Sequence, residues 1–135
     1  MEVYPKAKHN LSMINTADRP YLSWLANGKK TAEGRVNTPK YRAMQIGDTI
    51  SFYEKKSGQY IYGKIKFKHE YTSFEKMLNS KGVSNMLPFL DDHELAKGID
   101  VYNSFPGASR VHKFGCVAIG IIVLKFYLDP TPATL

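Results

Sequence analysis

With a single cysteine, Cys116, in its 135 residues, the chain can form no intramolecular disulfide and build no cysteine-based zinc site. Cys116 sits in the apolar run Gly115-Cys-Val-Ala-Ile119 and reads as a small packed hydrophobe. Histidine is nearly as sparse. His9, His69, His93 and His112 are scattered, and none pairs with another ligand at metal spacing, so no metal is expected. There is no glycine-rich phosphate loop and no serine-hydrolase elbow, and no cofactor is expected. Long apolar runs are missing too. The longest, Cys116 to Leu124, is too short to span a bilayer. Met1-Glu-Val-Tyr-Pro-Lys6 lacks the apolar core of a signal peptide. A soluble, intracellular protein, cytoplasmic or nuclear, with no membrane partner is the expectation.

Acidic residues are the last shortage. Twelve Asp and Glu face 19 Lys and Arg, for a net charge of +7. The imbalance is one-sided: residues 1–70 hold 13 basic and 6 acidic residues, whereas residues 71–135 hold 6 of each. A concentrated basic surface attracts polyanions, and nucleic acid is the partner it suggests. A composition of 43% apolar and 13% aromatic residues indicates a folded chain. The length suits one domain over residues 1–135, with a core at about 20–127, an irregular N-terminal arm over residues 1–17, and a C-terminal tail from Asp129.

Periodicity predicts an α+β fold. A short helix spans about 19–27, with Gly28 placed to stop it. A strand follows at about 31–36, another at 49–54, then a hairpin loop at Lys55-Lys-Ser-Gly58. The strand from Gln59 to about His69 alternates most clearly. Ser73 resembles a helix N-cap for a helix at 74–80, and Asp91-Asp-His-Glu94 opens another, with its acids against the helix dipole. The last strand, about 114–127, is apolar on both faces and is expected to be central.

Two stretches carry candidate chemistry. Asn27-Gly-Lys-Lys-Thr-Ala-Glu-Gly-Arg-Val36 concentrates Lys29, Lys30, Glu33 and Arg35. On a strand beginning near Thr31, Thr31, Glu33 and Arg35 share one face. The pattern reads equally well as a polar or anionic ligand site and as a surface salt bridge of little worth. If these charges are exposed, Lys30→Ala and Arg35→Ala should weaken binding with little change in melting temperature. The second stretch places Tyr60, Tyr62, Lys64, Lys66 and Lys68 in one row. Aromatic and basic side chains on a strand face suit single-stranded RNA, although such lysines also serve simply to solvate a sheet.

Gly28-Lys-Lys30-Thr31-x-Glu33-x-Arg35 resembles the G-x-K-x-x-E-x-R signature of the ASCH domain, a branch of the PUA-like superfamily. Ile46-Gly-Asp-Thr-Ile-Ser-Phe52, Tyr71-Thr-Ser-Phe-Glu-Lys-Met-Leu78, Met86-Leu-Pro88 and Gly115-Cys-Val-Ala-Ile119 resemble further family segments in order. The resemblance covers about residues 20 to 125. It implies a small mixed β-barrel with flanking helices and a cleft holding the signature Lys, Glu and Arg. An RNA-related role is what it implies. Taken with the basic half of the chain, the reading is RNA or modified-nucleotide binding in a basic cleft, with Lys29, Lys30, Thr31, Glu33 and Arg35 at the ligand and the row of Tyr60, Tyr62, Lys64, Lys66 and Lys68 as a flanking platform. Two alternatives stay open. One is a hydrolase of RNA or a modified nucleoside, with Lys30 and Glu33 as an acid/base pair. The other is a protein-interaction module. Some proteins resembling this family hydrolyse N4-acetylcytidine with a lysine and a threonine nucleophile. Here Glu33 stands at the threonine's place, so that chemistry is not expected.

Overall fold

Two twelve-residue strands form the spine of the structure, a computed structural model describing residues 5–128. They are β4 (Tyr60–Tyr71) and β5 (Cys116–Tyr127), paired antiparallel along their length. β1 (His9–Ser12), β2 (Glu33–Val36) and β3 (Thr49–Tyr53) complete one curled sheet in the order β1-β3-β4-β5-β2. Only β1 and β3 run parallel, so the sheet is mixed. Ladder irregularities at Tyr62/Gly63 and Ile65/Phe67 mark bulges, which bend a strand and increase its twist. The second bulge brings the Phe67 ring over Gly120, where a Cβ would lie 2.1 Å from a ring carbon.

Helices α1 (Tyr21–Asn27), α2 (Pro39–Arg42), α3 (Phe74–Lys81), α4 (Val83–Met86), α5 (Leu95–Asn103) and α6 (Val111–Phe114) flank the sheet, giving the expected α+β class. α1 buries Tyr21, Leu22 and Leu25 and ends at Gly28, whose φ of 85° is left-handed, as a helix stop requires. Ser73 caps α3, its hydroxyl accepting from the Lys76 N–H at 3.1 Å. The core joins Ile50, Phe52, Ile61 and Ile65 of the sheet to Met77 and Leu78 of α3 and to Val117 and Ile119 of β5.

Three expectations need correction. The arm over residues 1–17 contains β1, which four residues of weak pattern did not reveal; its pairing with β3 supplies the order. Asp91 and Asp92 do not open a helix. α5 begins at Leu95, and the Asp92 carboxylate instead accepts from the Ser84 N–H and hydroxyl at 2.9 and 2.7 Å. β5 is central, but β2 pairs only with its residues Cys116 to Ile119. Beyond Gly120, Ile122, Leu124 and Phe126 are more than half exposed. The tail from Asp129 lies outside the described residues. Among them, no helix is long and apolar enough to cross a membrane.

Candidate functional site

The signature segment is drawn inward by its backbone. After the Gly28 stop, the Lys30 N–H donates back to the Trp24 carbonyl at 2.9 Å, and the Thr31 N–H donates to the Asn85 carbonyl at 2.8 Å. Pinned between α1 and α4, the segment turns Lys30 inside, where it is 2% exposed. Its ammonium donates to the Met86 carbonyl and stands 3.6 Å from Glu33 Oε1. Glu33 opens β2, and its Oε2 accepts from Arg35 Nε at 2.8 Å. Arg35 also donates to the Tyr41 hydroxyl and the Ser12 carbonyl, both at 3.2 Å. A carboxylate thus bridges two cations.

Burial changes what these groups are worth. The Lys30 pKa is lowered, chiefly by loss of water, with the Glu33 carboxylate pulling it partly back. Arg35 is also pulled down by burial, but Glu33 and Tyr41 outweigh that and leave it raised. The condition attached to the Lys30→Ala expectation, an exposed charge, is therefore not met. A buried charged triad is a poor stabiliser compared with apolar packing, and removing Glu33 leaves the two cations without their carboxylate, whereas removing Lys30 leaves the Glu33–Arg35 pair intact. Perturbed titratable groups in a cleft are common at functional sites and also occur in structural ion-pair networks.

All three side chains line a cleft of about 990 Å³. Its walls also carry Arg19, Lys55, Lys56 and Arg110 against Asp18 and Glu54. With the triad, six cations face three carboxylates. Tyr21 and Tyr102 line it as well, 8% and 2% exposed. Neither phenol oxygen has a hydrogen-bond partner among the described residues. Burial raises both phenol pKa values, Tyr102 well above 10; for Tyr21 the nearby Arg19 guanidinium offsets part of the rise without the geometry of a hydrogen bond.

Other residues singled out in the sequence lie elsewhere. Lys29 and Thr31 are exposed, and neither lines the cleft. The strand begins at Glu33, so the face shared with Thr31 is not formed. Tyr60, Tyr62, Lys64, Lys66 and Lys68 on β4 are outside the cleft lining too. Lys68 leaves the row: past the bulge its ammonium donates to the Tyr41 and Met44 carbonyls at 2.6 and 2.8 Å. Conversely, Tyr21 and Tyr102 escaped notice because they sit at helical spacing among core residues, and Arg19, Lys55, Lys56 and Arg110 because they are far apart in sequence. Among the described residues, no cluster of three His, Cys, Asp or Glu could hold a metal.

A family model for the ASCH domain matches residues 16–124. The fold is similar to the crystal structure of hypothetical protein PH0355, with 31% identity, a TM-score of 0.71, and coverage of 85% of this chain and 97% of that one. It is also similar to the solution NMR structure of protein PF0455 from Pyrococcus furiosus, with 31% identity, a TM-score of 0.66, and coverage of 87% and 97%. No curated protein sequence matches the chain.

Proposed function

We propose, from the premise that this chain belongs to the ASCH domain family, that it binds RNA or a modified nucleotide in the cleft around Lys30, Glu33 and Arg35. The observation carrying this reading is the cleft's charge: Arg19, Lys30, Arg35, Lys55, Lys56 and Arg110 outnumber Asp18, Glu33 and Glu54 by three. Lys30 and Arg35 are already engaged with Glu33, so the phosphate-binding positions fall to Arg19, Lys55, Lys56 and Arg110. Each can displace counterions from a phosphate. The open platform on β4 is a lesser contributor in this reading, because its row does not reach the cleft.

The test is binding of a single-stranded RNA oligonucleotide followed by fluorescence anisotropy across a salt series. Four phosphate contacts give an expected log–log slope of about −3, from roughly −0.7 per neutralised phosphate. No binding at low salt would remove the nucleic-acid reading and promote a protein-interaction role.

One observation favours a second reading, a hydrolase: the buried Lys30, its pKa lowered, lies 3.6 Å from Glu33. Such a pair suits proton transfer. Against amide hydrolysis of the threonine type, Thr31 lies outside the cleft lining, and a carboxylate at Glu33 is a poor substitute nucleophile toward an amide. Incubated in large excess with N4-acetylcytidine, the same preparation is expected to release no cytidine by chromatography. Turnover abolished by Lys30→Ala would install the hydrolase in place of the binder.

A further inference from the structure

The cleft's chemistry divides by depth. Its exposed margin carries Lys55, Lys56 and Arg110, with Arg19 half-buried beside them. At its floor the charges have already found one another. Glu33 offers one oxygen to Lys30 and the other to Arg35, and Arg35 directs two more of its five N–H donors to the Tyr41 hydroxyl and the Ser12 carbonyl. A phosphate pushed to the floor would meet the Glu33 carboxylate. The floor also offers hydroxyl: the Tyr21 and Tyr102 phenols, both buried and without a hydrogen-bond partner among the described residues, near the Lys30 ammonium, which is donor-only.

Both rings are held in place. Tyr102 stacks on Phe74 at 5.3 Å between centroids and meets Phe105 edge-on at 5.6 Å. Tyr21 meets Trp24 edge-on at 5.7 Å, and the Lys30 ammonium stands 5.5 Å from its centroid. Gly34 makes room for the Tyr102 hydroxyl, since a Cβ there would lie 2.9 Å from that oxygen. An unpartnered buried hydroxyl is costly, and that cost is relieved when a ligand supplies an acceptor. Fixed rings keep such a contact from being lost to rotamer freedom.

We propose that Tyr21 and Tyr102 are specificity-determining donors on the cleft floor, and that they select a nucleotide whose base presents carbonyl oxygens there while its phosphate stays at the basic rim. This rests on the nucleotide-binding reading above and narrows it to keto bases. A uracil places a carbonyl where cytosine and adenine place an amino group. That amino group would face the donor-only ammonium and force the phenols to accept instead of donate.

The experiment measures binding of UMP, CMP and AMP at low salt by calorimetry, using wild type, Tyr21→Phe and Tyr102→Phe, with the melting temperature of each. UMP is expected to bind about tenfold tighter than CMP or AMP, the effect of one well-placed hydrogen bond. Each Phe variant should lose about tenfold for UMP and much of the preference, while its melting temperature stays level or rises because an unpartnered hydroxyl is gone. Equal binding of the three nucleotides overturns the inference. So does a variant that keeps affinity and preference, or one whose melting temperature falls along with its affinity, which marks the hydroxyl as structural. If any of these occurs while RNA still binds with the expected salt slope, only the tyrosine assignment fails. If neither nucleotides nor RNA bind, the cleft reading fails with it.

Discussion

Glu33→Ala is expected to destabilise the protein by about 3 kcal/mol, because it strands two cations in the interior. Lys30 and Arg35 have side chains 1% and 24% exposed, and among the described residues Glu33 is the only carboxylate paired with either. Losing one partner from a fully buried pair costs about 3–5 kcal/mol, and the partial exposure of Arg35 argues for the lower end. For a domain of this size that is a drop in melting temperature of roughly 10 °C. Glu33→Gln keeps the shape and one acceptor, so its loss should be smaller. Lys30→Met supplies the contrast. An unbranched apolar side chain of similar length removes a desolvated charge and should leave the melting temperature near the wild-type value while weakening RNA binding. Calorimetric melting of the three variants checks the order. If Glu33→Ala melts with the wild type, the triad is not coupled.

Gly63→Ala should be comparably damaging, for a reason that has nothing to do with charge. Gly63 sits where the β4/β5 register shifts, and a Cβ there would lie 2.0 Å from the Ile122 carbonyl oxygen. The obstacle is backbone of the neighbouring strand, so no rotamer change relieves it. The two longest strands must separate locally, breaking ladder bonds at the bulge that bends the sheet. A loss of about 3 kcal/mol is expected, at the upper end of overpacking costs. Denaturant unfolding measures it directly. An unchanged midpoint would show that β4 and β5 are not paired in this register.

The parts of this fold that were legible share one property: their signals are local. Alternation along Tyr60–Phe67, the stop at Gly28 and the cap at Ser73 each depend on a few neighbouring residues, and each element formed where its pattern lay. β1 was not legible because a four-residue strand is specified by its partner, Thr49–Tyr53, more than by itself. The site divides in the same way. Glu33 and Arg35 are two apart on one strand, so their salt bridge could be read from spacing. Lys30 looked exposed because its sequence neighbours are charged; its burial comes from Trp24 and Asn85, which hold its segment from either side. Tyr102 comes to the floor only because α5 packs on α3 and Gly34 leaves it room. No sequence window contains that arrangement.

The most direct measurement of the central claim is a backbone-amide NMR titration of the protein with a short single-stranded RNA at low salt. The cleft account predicts that shifts concentrate in residues 12–19, 33–36, 54–56 and 105–110 and at Lys30, stretches remote in sequence that meet at the cleft. Shifts confined to Tyr60, Tyr62, Lys64 and Lys66, with the cleft residues unmoved, would place the RNA on the outer face of β4 and contradict it.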